Sequence, residues 1–170
     1  SGSELDAAYQ QVKGDLLKAI EMAHQRIVDF HKMRIPKSWV HFGDKDVVLG
    51  KRYTAVDAAG IYIPGGKAAY PSTVLMNAVP AQVAGVKKIV MVTPPGQERT
   101  TNPAILVAAQ VAGIEEIYRV GGAQAIAALA YGTETIPKVD VITGPGNIYV
   151  TLAKKQVFGR VGICLLYTSR

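Results

Sequence analysis

The amino-acid sequence predicts an α/β fold: a Rossmann-like parallel sheet layer of about four βα units, preceded by a long N-terminal helix and a small β element. Three observations carry that prediction. From Gly60 onward, short β-rich runs alternate with Ala-rich helical stretches, and strand–helix units in series require parallel strands joined by right-handed crossovers. The strand runs are apolar throughout, as a sheet covered on both faces demands. Before Gly60, apolar residues recur in steps of three and four at Leu5, Ala8, Val12, Leu16, Ala19, Ala23, Ile27 and Phe30, which marks one face of a helix.

That helix should run from about Glu4 to Lys32 and end before Ile35-Pro36. A β-like stretch follows, with Val47-Val48-Leu49 and then Tyr53 to Val56. In the alternating part the first strand is Ile61-Tyr62-Ile63, with a helix from about Ser72 to Ala84 that Pro80 should kink. Lys88 to Thr93 is the second strand, followed by a helix from about Pro103 to Ala112 with Asn102 as N-cap. Glu116 to Val120 precedes a helix from about Ala123 to Tyr131, and Val139 to Thr143 precedes one from about Asn147 to Phe158. The domain division expected is a helical arm with its β element over 1–59, part of a domain incomplete here, and a Rossmann-like domain over 60–163. Ile61-Tyr62-Ile63-Pro64-Gly65-Gly66 echoes Ile117-Tyr118-Arg119-Val120-Gly121-Gly122, although shared turn chemistry explains so short a match equally well.

An apolar fraction of 49% and a charged fraction of 19% are those of an ordinary soluble domain with a core to bury. The net charge of +6 is compatible with phosphate-bearing partners. Lys87-Lys88 and Lys154-Lys155, however, flank apolar runs and build no basic block, so the basic residues are read as solvated helix faces. No aromatic-and-basic module is present, and nucleic acid is not an expected partner. The single cysteine, Cys164, excludes a disulfide framework and points to a reducing, cytoplasmic setting. No apolar run reaches the roughly 18 residues of a membrane span, so no membrane is expected. Ser1-Gly2-Ser3 reads as an added leader or the edge of a longer sequence, and no signal peptide is visible.

In an open parallel sheet, ligands bind beyond the carboxyl ends of the strands. Three of the four strands end in glycine turns there: Pro64-Gly65-Gly66, Gly121-Gly122 and Gly144-Pro145-Gly146. Glycine lets a ligand approach the backbone, and amides at a following helix start suit phosphate. One such turn is most simply just a turn; three at one edge favour a ligand site. Neither GxGxxG nor a P-loop is met, because Tyr149, Ile61 and Ala68 stand where those patterns need other residues. Tyr62, Gln124 and Asn147 lie at these strand ends and helix starts, and their groups suit ribose, amide or phosphate. Plainer readings stay open: a packed core aromatic for Tyr62, a solvated first-turn residue for Gln124, and an N-cap for Asn147. No metal site is visible: His24 and His31 are two helical turns apart and His41 is isolated. Glu115, Glu116, Glu134 and Asp140 form no catalytic pair, and no nucleophile–base constellation appears.

The run from Gly60 to Pro95, GIYIPGGKAAYPSTVLMNAVPAQVAGVKKIVMVTPP, resembles the histidinol dehydrogenase family. So do Val120 to Asn147, VGGAQAIAALAYGTETIPKVDVITGPGN, the following YVTLAKKQVFG from Tyr149 to Gly159, and AHQRIVDFHKMRIPKSW from Ala23 to Trp39. The resemblance covers about residues 4–163 and identifies the chain as an internal fragment. It implies a parent enzyme that oxidises L-histidinol to the aldehyde and then to L-histidine with two NAD in turn. Zinc would hold the substrate, a glutamate–histidine pair would serve as acid and base, and sites would be completed across a homodimer interface. By motif, the family's NAD-binding positions fall on Tyr62 in IYIPGG, Gln124 in GGAQAIAA and Asn147 in GPGN. The zinc ligands, the glutamate–histidine pair and the substrate-binding serine lie farther along the family's chain, so no catalytic or metal residue is expected here and the fragment alone should be inactive. After Ile163 the pattern breaks: Cys164 to Arg170, CLLYTSR, departs from the family and is read as a non-native tail. The alternative reading is a non-catalytic nucleotide-binding α/β module. A third is an interaction protein docking through its N-terminal helix.

Overall fold

The structure, a computed structural model, describes residues 2–65, 69–96 and 100–164. Gly66 of the first glycine turn and the tail from Leu165 to Arg170 lie outside the described residues. The chain opens with helices α1 (Gly2–Gln11) and α2 (Gly14–Lys32), then strands β1 (Trp39–Phe42) and β2 (Val48–Lys51). The α/β part follows as β3 (Ala58–Tyr62), α3 (Pro71–Val83), β4 (Lys88–Val92), α4 (Pro103–Val111), β5 (Glu116–Tyr118), α5 (Gly122–Tyr131), β6 (Val141–Thr143), α6 (Ile148–Val157) and β7 (Gly162–Ile163).

The α/β class and the four expected βα units are present, with one strand more than expected. The sheet is five-stranded, in the order β5-β4-β3-β6-β7, and every pairing is parallel. All five residues of central β3 are buried. Its side chains alternate between two cores: Ile61 joins α1 to α4 on one face, and Tyr62 joins α5 and α6 on the other. The carboxylate of Asp140, just before β6, accepts the Ala58 N–H at 2.8 Å and ties the two strand starts together.

The expected long helix is two helices. Lys13 is extended (φ −60, ψ 143) and separates them. A single helix over residues 2–32 would be roughly 46 Å long, whereas the helices it would have to cover, α3 and α4, have 13 and 9 residues. The break lets α1 lie on α4 while α2 lies on α3, burying Ala8 and Ile20 in the same core. Gly14, just past the break, is a poor helix-interior residue. Helix α3, by contrast, runs unbroken through Pro80.

The small β element is an antiparallel hairpin of β1 with β2. Its first strand was not anticipated, and the stretch from Tyr53 to Val56 is not strand. Lys45 and Asp46, both at positive φ (56 and 61), turn the hairpin, and every strand residue in it is exposed.

Candidate cofactor-binding site

In a doubly wound sheet the ligand crevice lies where the strand order reverses. Here β4 and β5 follow on one side of β3, and β6 and β7 lie on the other, so the reversal falls between β3 and β6. A cleft of about 400 Å³ opens at the carboxyl ends of these strands. Its walls are Pro64 and Gly65 after β3, Pro94 and Pro95 after β4, Gly121, Gly122 and Gln124 around the start of α5, and Tyr62 and Asn147. The three residues singled out from the sequence therefore share one cleft.

Close backbone packing builds the cleft floor. Gly144 has φ +104, and a Cβ there would stand 2.1 Å from the Tyr62 carbonyl oxygen. Only glycine satisfies both conditions. Pro94 is wedged between two glycine turns: a Cβ on Gly121 would meet its Cγ at 2.3 Å, and one on Gly65 would meet its Cβ at 2.9 Å. The glycines after β3 and β5 are thus matched by one proline after β4.

Each of the three polar residues has a defined setting. Tyr62 ends β3 with its ring in the core, 3% exposed. Its hydroxyl accepts the Gly122 N–H at 3.1 Å. The core-aromatic reading is correct for the ring, while the hydroxyl reaches the start of α5. Gln124 is exposed on the first turn of α5 and folds back over Gly122, whose added Cβ would lie 2.9 Å from Gln124 Oε1. Asn147 is the N-cap of α6, and its Oδ1 accepts the Val150 N–H at 3.1 Å. The capping reading is therefore correct for one atom of that side chain, and the Nδ2 amide remains.

Two helix N-termini, those of α5 and α6, begin at this cleft, and the lining residues carry no carboxylate. Partial positive charge with no carboxylate against it among the described lining residues favours an anionic ligand. A larger groove of about 630 Å³ follows the edge strand β5, where Arg119 pairs with Glu4. It lies along the sheet's flank, away from the order reversal.

One residue behind the cleft differs from the sequence expectation. The sequence places Lys154 on a solvated helix face, yet it is 1% exposed. Its Nζ donates to the carbonyl oxygens of Gly144 and, at 3.3 Å, Cys164. Burial holds its pKa below the usual lysine value. A signal was available: Val150, Ala153, Lys154 and Val157 are the buried residues of α6, in the three–four spacing of a core face.

Among the described residues, no three His, Cys, Asp or Glu side chains gather as a metal site, and no helix is long and apolar enough to cross a membrane. His24 and His31 lie on α2, and His41 lies on the hairpin.

Fold and cleft together define a doubly wound α/β unit whose cleft, at the order reversal, has no charged side chain among its described lining residues. Similarity to known proteins is more specific. The family model for histidinol dehydrogenase matches residues 1–167. The histidinol dehydrogenase of Thermosynechococcus vestitus is 78% identical over 162 residues, which is 95% of this chain and 38% of that protein. That of Carboxydothermus hydrogenoformans is 60% identical over 166 residues, 98% of this chain and 39% of that one. The crystal structure of histidinol dehydrogenase from Elizabethkingia anophelis matches with TM-score 0.94 at 43% identity, covering 99% of this chain and 39% of that one. The chain belongs to the histidinol dehydrogenase family, and it spans about 38% of the length of these relatives.

Proposed function

We propose that this chain is the dinucleotide-binding part of an NAD- and zinc-dependent enzyme that oxidises L-histidinol, through L-histidinaldehyde, to L-histidine. The observation that supports this reading is the convergence of Tyr62, Gln124 and Asn147 on one cleft where the strand order reverses. Residues 60–163 form the dinucleotide-binding domain. Residues 1–59 belong to a domain completed by the rest of the parent protein, and 164–170 is a non-native tail. The parent works as a cytoplasmic homodimer.

Bound NAD supplies the hydride acceptor. The chain's own residues bind and orient. The Tyr62 hydroxyl accepts from Gly122, which leaves its own proton to donate into the cleft. Asn147 caps α6 through Oδ1 and offers its Nδ2 amide outward. Gln124 offers both a donor and an acceptor from the first turn of α5. The helix starts behind Gln124 and Asn147 favour the diphosphate. The donor set therefore fits a dinucleotide without the single-loop GxGxxG fingerprint, its contacts being shared among three turns. For zinc the described residues offer no convergent ligands, so its ligands and the acid/base pair are assigned to the remaining length of the parent.

The test is Gln124→Ala in the full-length parent. The KM for NAD should rise about three- to tenfold, the worth of one neutral hydrogen bond, with the KM for histidinol unchanged. An unchanged KM for NAD contradicts the assignment. The chain by itself should produce no NADH from histidinol, because the groups that hold and deprotonate the substrate lie elsewhere.

A further inference from the structure

Lys154 is a fully buried lysine with no part in the contacts described for the cleft lining. A buried ammonium is costly unless hydrogen-bonded on its remaining protons. This one donates to the carbonyl of Gly144, which opens the Gly144-Pro145-Gly146-Asn147 turn, and to that of Cys164, just past β7 and the first residue of the tail read as non-native, so Gly144 is the partner on which the parent protein relies. Those partners are informative. Gly144 packs directly against the Tyr62 backbone, and three residues later the same turn delivers Asn147 to the cleft. Lys154 lies seven residues beyond Asn147, on the helix that Asn147 caps. The side chain therefore reaches back across two helical turns and grips the loop from which its own helix starts. The turn is pinned at one end by the Asn147 cap and at the other by the lysine.

We propose that Lys154 is a positioning residue for the cofactor cleft: its ammonium, donating to the Gly144 carbonyl, fixes the turn that carries Asn147. The proposal rests on the dinucleotide reading of the cleft. A neutral apolar side chain of similar length would fill the same space while leaving the Gly144 carbonyl without its donor. The turn could then relax away from Tyr62, and Asn147 with it. Helix α4 provides a contrast, since its N-cap Asn102 is followed by a buried face of Ile105, Leu106, Val107, Ala108 and Ala109 with no lysine among them.

The experiment compares Lys154→Met, Lys154→Arg and Gln124→Ala in the full-length parent, reading melting temperature, kcat and the KM values for NAD and histidinol. Lys154→Met should raise the KM for NAD about tenfold, the range of a hydrogen bond from a charged donor. The kcat at saturating NAD and the KM for histidinol should stay within about twofold, since only cofactor binding is affected. Lys154→Arg, which keeps the charge and the donors, should recover most of the loss. A lowered melting temperature in Lys154→Met with an unchanged KM for NAD overturns the proposal, because the lysine is then only structural. If Lys154→Met does not fold, Lys154→Gln takes its place. A rise in the KM for NAD of about threefold supports the role of the charged donor, and no rise overturns it. If Gln124→Ala also leaves the KM for NAD unchanged, the dinucleotide reading itself has failed and the proposal falls with it. If Gln124→Ala raises it and Lys154→Met does not, only the positioning role has failed.

Discussion

The starts of α4 and α6 are built alike, each following a strand of the same parallel sheet, yet only one of them faces the cleft. Asn102 accepts the Ala104 N–H at 2.9 Å, and Asn147 accepts the Val150 N–H at 3.1 Å. Both side chains are exposed. Asn147 lines the cleft with Tyr62 and Gln124, whereas Asn102 is not among the lining residues. The difference lies in what stands behind each cap. Behind Asn147 are a glycine at positive φ pressed on the Tyr62 carbonyl and a buried lysine gripping that glycine's own carbonyl. Capping uses one atom of an asparagine, and the preceding turn decides whether the leftover amide has anything to do.

The largest effect should come from removing the turn's backbone freedom. Gly144→Ala introduces a Cβ against the Tyr62 carbonyl at positive φ, and should destabilise the fold by about 3–5 kcal/mol, read by chemical denaturation. A loss of under about 1 kcal/mol would mean that the turn is not held as described. Next come the caps themselves. Asn102→Ala and Asn147→Ala should each cost about 1 kcal/mol, but only Asn147→Ala should change the KM for NAD. An equal kinetic effect from Asn102→Ala would erase the contrast between the two helix starts.

The smallest effect is one of pH. Burial lowers the Lys154 pKa in the folded protein, so in the window between that value and the ordinary lysine value the unfolded chain binds more protons. Stability then rises with pH across the window, as the cost of the buried charge is relieved. As the pH rises toward the ordinary lysine range, wild type should gain stability relative to Lys154→Met, which lacks that titration. Parallel stability curves for the two proteins would contradict the burial of a charged amine. At the α4 start the same substitution should leave the Asn102 cap untouched.

Much of this was legible in the sequence because it is local. Apolar runs alternating with Ala-rich stretches identify β3 to β6 and their helices to within a few residues, and asparagine before a helical run identifies both caps. Tyr62, Gln124 and Asn147 could be singled out because each sits where a strand or a glycine turn ends. What escaped depends on distant contacts. Strand β7 is two residues long, too short for periodicity to register. The break at Lys13 follows from the separate surfaces of α3 and α4 that α1 and α2 must cover. The bond from Gly122 to the Tyr62 hydroxyl spans 60 residues, and the matching of Gly65 and Gly121 to Pro94 involves three separate turns. Lys154 is illegible for a different reason: its charge suggests solvent, while its position falls on the apolar face of α6.

The central claim is that Asn147 serves the cofactor as well as its helix, and Asn147→Ser in the full-length parent tests it most directly. Serine still caps a helix but carries no amide. The melting temperature should stay near that of wild type, the KM for NAD should rise about three- to tenfold, and histidinol affinity should be unchanged. If Asn147→Ser matches wild type in both stability and NAD kinetics, Asn147 is a cap and nothing more, and the cleft's assignment to the cofactor loses the residue on which it most depends.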